Sequence, residues 1–292
     1  MIPQDVAKKV KELLSQYLEG ETEILRSSSI GGGCINHAMK IETRQADFFL
    51  KWNNAQQFPS MFKTEANGLV LLKEANEIGV PKVIGFDDTG SYSFIILEFI
   101  SSGRRIKTFW EDFGSSLARL HQNSSEFFGL NYDNYIGSLP QSNSQKKSWI
   151  EFFIEERLEK QIAIAKNSGA ISHSVIAQFN HLYKRLQEII PEEKPSLLHG
   201  DLWNGNFMVG SDGKAWMVDP AVYYGHREMD LAMSRLFGGF SGEFYKSYNE
   251  TFPLQKGFDL RVDIHNLYPL LVHVNLFGGS YLSEVKNILS RF

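Results

Sequence analysis

Cysteine is almost absent from this chain: Cys34 is the only one in 292 residues, so no disulfide can form within it. Long apolar runs are absent as well. No stretch approaches the roughly 18–20 apolar residues that a membrane-spanning helix requires, so no membrane partner is expected. An excess of basic charge is also missing, with 30 Lys+Arg against 34 Asp+Glu and a formal net charge of −4. Without a basic face there is no electrostatic footprint for nucleic acid, and none is expected as a partner. The opening residues, Met1 to Val10, lack the apolar core of a signal peptide, and acids at Asp5 and Glu12 argue against a transit peptide. The expected location is cytoplasmic. Low-complexity tracts are absent too. An apolar content of 42% supports a sizeable core, and the length suits two packed lobes sharing a cleft.

What is present is concentrated late in the chain. Leu198-His199-Gly200-Asp201-Leu202-Trp203-Asn204-Gly205-Asn206 is followed by Asp219-Pro220-Ala221. Asp201 and Asn206 have the Asp-x-x-x-x-Asn spacing of a phosphotransfer loop, in which the Asp accepts the proton of an acceptor hydroxyl and the Asn holds a metal. Two short apolar runs, Phe207-Met208-Val209 and Ala215-Trp216-Met217-Val218, flank Gly210-Ser211-Asp212-Gly213, which reads as a hairpin turn. A hairpin brings its outer ends together, so Asn206 and Asp219 are expected as neighbours. Paired oxygen ligands of this kind suit magnesium, which binds through one or two protein oxygens with phosphate and water.

A matching nucleotide half is expected upstream. Ile30-Gly31-Gly32-Gly33-Cys34-Ile35-Asn36-His37 offers converging backbone N–H groups, so Gly31, Gly32 and Gly33 are candidates for a phosphate cradle, although no Walker A lysine follows. The strand Phe48-Phe49-Leu50-Lys51-Trp52 carries one lysine, and a helix over 59–77, opening at Pro59-Ser60, has Met61, Phe62, Ala66, Leu69, Val70 and Leu72 on one stripe. Glu65 on that helix is the expected partner of Lys51, in preference to Glu74 and Glu77. The apolar strand 91–97 leads to Glu98-Phe99-Ile100-Ser101, the expected hinge where adenine takes backbone hydrogen bonds. Cys34 reads as a small residue in a tight loop. A thiol among converging N–H groups would nevertheless be acidified, which leaves a redox-linked dimer through Cys34 as an option beside the expected monomer.

Periodicity gives the rest of the architecture. Val6, Val10, Leu13, Leu14 and Tyr17 form a helical stripe, and Val83-Ile84-Gly85-Phe86 reads as a strand before the turn 87–90. From about residue 104 helical spacing dominates: Phe109, Phe113, Leu117 and Leu120 mark one helix, and 149–166, 174–190, most of 226–251 and 261–291 continue the pattern. A mixed first lobe (1–100, nucleotide-binding) and a mainly helical second one (101–292, catalytic and acceptor-binding) make the expected class α+β. His121 is expected as a satisfied helix-end histidine, His199 as an orienting group and Asp230 as a brace for the catalytic loop. Tyr268, His273 and Phe277 are assigned to the core of a C-terminal helix, which could alternatively wall an acceptor pocket.

Several segments together resemble the fructosamine kinase (ketosamine 3-kinase) family. They are Gly-Gly-Gly-Cys-Ile at 31–35, Phe-Phe-Leu-Lys at 48–51, His-Gly-Asp-Leu-Trp at 199–203, Asp-Pro-Ala at 219–221, Tyr-Tyr-Gly-His-Arg-Glu-Met-Asp-Leu-Ala-Met at 223–233 and Leu-Phe-Gly-Gly at 236–239. The family is related to aminoglycoside phosphotransferases and choline kinases, and the resemblance runs from about residue 25 to the end. It implies a bilobal protein-kinase-like fold that uses ATP and Mg2+ to phosphorylate the 3-hydroxyl of a ketosamine, free or protein-bound. The product then breaks down and frees the amine, a deglycation repair. By position it implies Asp201 as base, Asn206 and Asp219 as magnesium ligands, Lys51 as phosphate lysine with Glu65 as its partner, and Trp203 as a stacking surface for the sugar or amine. The family usually has Ser where this chain has Asn204, a difference that touches neither base nor metal ligands. The rival functions are another small-molecule kinase of the same superfamily, acting on an aminoglycoside, choline or homoserine, and a nucleotide-binding pseudokinase scaffold. Acceptor specificity separates the first, and metal-dependent stabilisation by ATP the second.

Overall fold

Period-two alternation in one strand organises the first part of the protein. A computed structural model describes residues 2–31 and 36–292; Gly32, Gly33, Cys34 and Ile35, and with them most of the expected phosphate cradle, lie outside the described residues. Helix α1 (Gln4–Tyr17) precedes strands β1 (Arg26–Ser29), β2 (His37–Glu42) and β3 (Asp47–Asn54); then come α2 (Met61–Ala75), β4 (Val83–Asp88) and β5 (Tyr92–Glu98). The strands form one antiparallel sheet in the order β1-β2-β3-β5-β4. Along β3, Phe48, Leu50 and Trp52 point to one face and join Val6, Val10 and Leu14 of α1 in a buried cluster. The intervening Lys51 and Asn53 point the other way, toward α2, where Asn53 Nδ2 lies 3.0 Å from Met61 Sδ.

The chain divides into two compact units, Met1–Ile106 with Met208–Val218, and Lys107–Phe207 with Asp219–Phe292. The second contains α3 (Phe109–His121), the short hairpin β6 (Asn134–Ile136) and β7 (Leu139–Gln141), and a helical run of α4 (Trp149–Phe152), a π-helix (Phe153–Leu158) and α5 (Glu159–Asn167). After α6 (His173–Tyr183) and α7 (Leu186–Ile189) comes β8 (Ser196–Leu198). The hairpin β9 (Phe207–Val209) and β10 (Ala215–Met217) is next in the chain and, from Met208 to Val218, belongs to the first unit; the second resumes with β11 (Tyr223–Gly225), which pairs antiparallel with β8. Helices α8 (Glu228–Leu236), α9 (Gly242–Thr251), α10 (Phe258–Phe277) and α11 (Ser280–Leu289) complete the chain. The aromatic core of this unit gathers Phe109 and Phe113 of α3 with Phe207, Phe240 and Phe244. No helix among the described residues is long and apolar enough to cross a membrane.

The α+β class is as expected, and several boundaries differ. The second helix begins at Met61, because Ser60 sits in the left-handed region at φ 61°, and Pro59 therefore lies before the helix. Val70 is 46% exposed, off the buried stripe, and Tyr17 is 40% exposed at the end of α1. The run expected over 149–166 is interrupted by the π-helix, whose extra residue per turn puts Glu156, Arg157 and Leu158 consecutively into the interior. The runs at 174–190, 226–251 and 261–291 each divide into two helices, the last at Gly278-Gly279. Phe277, assigned to the core, is 58% exposed, since α10 ends there.

Candidate active site

In the first unit, Lys51 projects from β3 between Ala38 of β2 and Ile95 of β5. Its Nζ donates to both oxygens of Glu65, at 2.8 and 3.0 Å, and only 5% of the lysine is exposed. The pairing expected from spacing is present. A buried ammonium held by a carboxylate is a cation kept in a fixed direction. The expected hinge is well anchored: Glu98 N–H donates to Lys82 O and its Oε2 accepts from Lys82 N–H, at 2.9 and 3.1 Å. Phe99 lies under Lys40, 4.8 Å from Nζ to ring centroid, and Ile100 is buried. Ser101 and Gly31 are exposed. The same unit takes in 208–218, where Gly103 N–H donates to Val209 O at 2.9 Å and Met217 N–H to Gly79 O at 2.8 Å.

In the second unit the β8–β11 ladder builds the reactive corner. Leu198 pairs with Tyr223, and the contact continues with Ala221 N–H donating to His199 O at 2.9 Å. Gly200 makes that closeness possible. Its φ is +83°, and a Cβ there would stand 2.0 Å from Ala221 O, so no other residue fits. The loop leaves this point carrying Asp201. Asn206 Nδ2 donates to Asp201 O at 2.9 Å and to Asp201 Oδ2 at 2.8 Å. Both partners are acceptors, so the amide nitrogen must face them, and Asn206 Oδ1 is the atom directed elsewhere. Asp219 holds a left-handed φ of 53°, a conformation that Asp tolerates at a cost and that recurs where a carboxylate must be aimed. Its charge acts directly on Asp201.

The electrostatics follow from that crowding. Burial is the main cause that pushes the Asp201 carboxyl up to about 7, and the Asp219 and Asp230 carboxylates raise it further against the opposing Asn206 hydrogen bond. Asp230 braces the loop as expected. Its Oδ2 accepts from His199 N–H at 2.8 Å and its Oδ1 from Gly200 N–H at 2.9 Å. His121 does more than the sequence indicated: it is buried, with Nε2 3.2 Å from Asp230 Oδ2 and Nδ1 2.8 Å from Tyr248 Oη. His199 Nδ1 accepts from Asp201 N–H at 3.3 Å, which suits an orienting role. Trp203 is half-buried. One face of its indole lies against Gly205, where a Cβ would stand 2.4 Å from the ring, and its edge meets Phe237 at 5.9 Å between centroids.

Sequence reasoning missed a polar layer beneath Ala221-Val222-Tyr223. Gln141 Nε2 donates to Ala221 O at 3.0 Å, and Asn134 Nδ2 donates to Val222 O at 2.9 Å. Tyr268 Oη donates to Gln141 Oε1 at 2.7 Å. Arg157, fully buried, stacks 3.9 Å above the Tyr223 ring and donates to Asn143 Oδ1 at 2.8 Å. The only signal was a run of Asn and Gln near 134–143, which in a sequence looks like a polar loop. The motif residues 226–228 prove to be scaffold. Arg227 grips Glu193 at 2.7 and 2.8 Å, and Arg261 takes both oxygens of Glu228 at 2.8 and 2.6 Å. His226, Glu228 and His265 do cluster within 4.8 Å, but both Glu228 oxygens are already taken by the Arg261 guanidinium.

Comparison with known proteins fits this geometry. The family model for fructosamine kinase matches residues 6–292. The probable ketoamine kinase of Synechocystis sp. is 35% identical over 292 residues, covering 99% of this chain and 96% of that one. The chloroplastic protein-ribulosamine 3-kinase of Oryza sativa subsp. indica is 40% identical over 278 residues, 93% of this chain and 80% of that one. A solved Thermobifida fusca protein assigned as a fructosamine-3-kinase superposes with a TM-score of 0.88 at 33% identity, covering 98% of this chain and 97% of the other. The aminoglycoside phosphotransferase APH(4)-Ia, at 15% identity and a TM-score of 0.59, shows the protein-kinase-like fold alone. The chain belongs to the fructosamine kinase family.

Proposed function

We propose that this member of the fructosamine kinase family transfers the γ-phosphate of ATP to the 3-hydroxyl of a ketosamine, Asp201 taking the hydroxyl proton. The observation that carries the reading is the Asp201 carboxyl itself. Held by Asn206 and Asp230-braced backbone, and pushed up to about 7, it has the proton affinity that serves a general base at neutral pH. The hydroxyl proton passes to Asp201, the freed oxygen attacks phosphorus, and ADP leaves.

The other roles are assigned residue by residue. Asn206 Oδ1 and the Asp219 carboxylate are hard oxygen donors of the kind magnesium selects, and the orientation of the Asn206 amide supports this fit. When bound, magnesium neutralises charge on the phosphate oxygens. Lys51, aimed by Glu65, serves as the phosphate lysine, and Gly31 to Gly33 serve as the backbone cradle. Glu98, Phe99, Ile100 and Ser101 supply backbone groups to adenine. Trp203 supplies a stacking face for the sugar or its amine. We further assign the protein to the cytoplasm, as a monomer.

The test is incubation with magnesium and ATP against ribulosamine, erythrulosamine and fructosamine adducts, choline and an aminoglycoside, with the phosphate located by NMR. Phosphate on the 3-hydroxyl of a ketosamine is the expected result. Turnover of choline or the aminoglycoside alone would overturn the reading, and nucleotide binding without any turnover would favour a scaffold.

A further inference from the structure

A ladder of aromatic rings runs outward from the base. Trp203, two residues after Asp201, meets Phe237 edge-on at 5.9 Å. Phe237 packs on His273 at 4.8 Å, and His273 on Tyr281 and Phe277 at 4.9 and 5.5 Å. Asn204 ties the segment to the catalytic loop, its Nδ2 donating to Gly239 O at 3.2 Å. None of these five rings is buried, and Phe277 is 58% exposed at the far end. A core cluster would close over such rings; this one starts two residues from Asp201 and stays partly open to solvent.

The chemistry of the ladder is that of a receptor for a cation with an apolar arm. Aromatic faces carry negative charge density and attract an ammonium. His273 adds an acceptor. Its Nδ1 lies 2.7 Å from Pro269 O, and a carbonyl can only accept, so Nδ1 carries the proton. Partial burial holds the imidazole below its ordinary range, so the ring is neutral and Nε2 keeps its lone pair.

We infer that Phe237, His273, Phe277 and Tyr281 form the specificity surface for the amine arm of the acceptor, receiving its protonated nitrogen and the methylenes beyond it. This rests on the ketosamine reading above. In a ketosamine the nitrogen is three carbons from the 3-hydroxyl, so with that oxygen at Asp201 the amine falls beside Trp203 and its substituent runs along the ladder. A lysine-like arm matches the surface; a bare sugar amine leaves it empty.

The experiment measures selectivity: the ratio of kcat/KM for an Nα-acetyl-lysine ribulosamine to that for 1-amino-1-deoxyribulose, which has the same sugar and no arm. Phe277→Ala and Tyr281→Ala should each lower this ratio about 3- to 30-fold, the range of cation–π and aromatic contacts. His273→Phe should lower it with the ring retained, and His273→Gln should restore part of it. Melting temperatures identify any variant that fails to fold, and Phe277, being exposed, serves as the variant least exposed to that risk. An unchanged ratio in Phe277→Ala and Tyr281→Ala, or an equal loss toward both acceptors, would overturn the inference. If the wild-type protein phosphorylates neither ketosamine, the parent reading falls and this one with it, a failure distinct from an unchanged ratio.

Discussion

Replacing Asp201 by Asn should make the protein more stable and catalytically dead, and the stabilisation should depend on pH in a defined way. The folded protein raises this carboxyl from 3.8 to about 7, chiefly by burial and then by the Asp219 and Asp230 charges. A folded-state value above the unfolded one means that the contribution to stability is fully present below the unfolded value and is lost as pH rises toward the folded one. The window therefore runs from 3.8 to about 7. A shift of that size corresponds to about 4 kcal/mol at pH 8, and the partial exposure of Asp201 and loss of the charge on the Asn206 hydrogen bond reduce it to roughly 1–3 kcal/mol. Asn keeps the shape and an acceptor for Asn206, so it resembles the protonated acid.

In thermal unfolding without nucleotide or metal, Asp201→Asn should melt roughly 3–8 °C above wild type at pH 8. The gain should fall to less than half of that at pH 5 and vanish below the unfolded carboxyl value. Turnover should drop by ~10²–10⁴-fold, with ATP affinity near wild type, because the base touches the acceptor hydroxyl and not the nucleotide. A variant that melts below wild type at pH 8, or gains equally at both pH values, would refute the account of a carboxylate held at electrostatic cost.

The same carboxyl sets a pH profile: kcat/KM of the free enzyme should rise with pH and level off above about 7, and a flat profile from pH 5.5 to 9 would remove Asp201 as the titrating base. Asp219→Ala and Asn206→Ala should weaken ATP binding measured in magnesium far more than in EDTA; equal losses would mean a collapsed loop and not a lost ligand pair. Gly200→Ala should cost several kcal/mol and abolish activity, since the new methyl would meet Ala221 O at 2.0 Å; a folded, active variant would show that the β8–β11 corner has slack. Trp203→Ala should raise the acceptor KM or lower kcat with little change in ATP affinity, whereas a large fall in melting temperature with unchanged acceptor KM would make Trp203 a packing residue over Gly205.

What could be read from the sequence was what local chemistry dictates. The alternation of Phe48, Leu50 and Trp52 around Lys51 fixes which face of β3 holds the lysine, and one helical turn beyond Met61 offers Glu65 to it. Asp201 was legible because its five-residue spacing to Asn206 has few other uses, whereas the left-handed turn at Gly200 that lets it stand there was not. Pairing over long separations was not legible. The strand residues 196–198 are three apolar or small residues without alternation to reveal them, and their partner Tyr223–Gly225 stood out only as part of a family motif, not as a strand. Arg157 was hidden inside an amphipathic run, and only the π-helix, which sequence periodicity averages away, turns it beneath Tyr223.

The buried polar layer and the raised carboxyl belong to one physical argument. A carboxylate at neutral pH prefers water, and bringing it beside Asp219 and Asp230 costs free energy that the fold must supply elsewhere. The loop cannot relax away, because Asp230 holds the N–H groups of His199 and Gly200 while Gln141 and Asn134 hold the carbonyls of Ala221 and Val222. Both strands of the corner are thus tied by side chains from separate elements, each bond directional and all but the Gly200–Asp230 bond fully buried. The rigidity of that layer is what keeps Asp201 from swinging toward solvent, where its proton affinity would fall to that of an ordinary carboxylate and its value as a base would go with it.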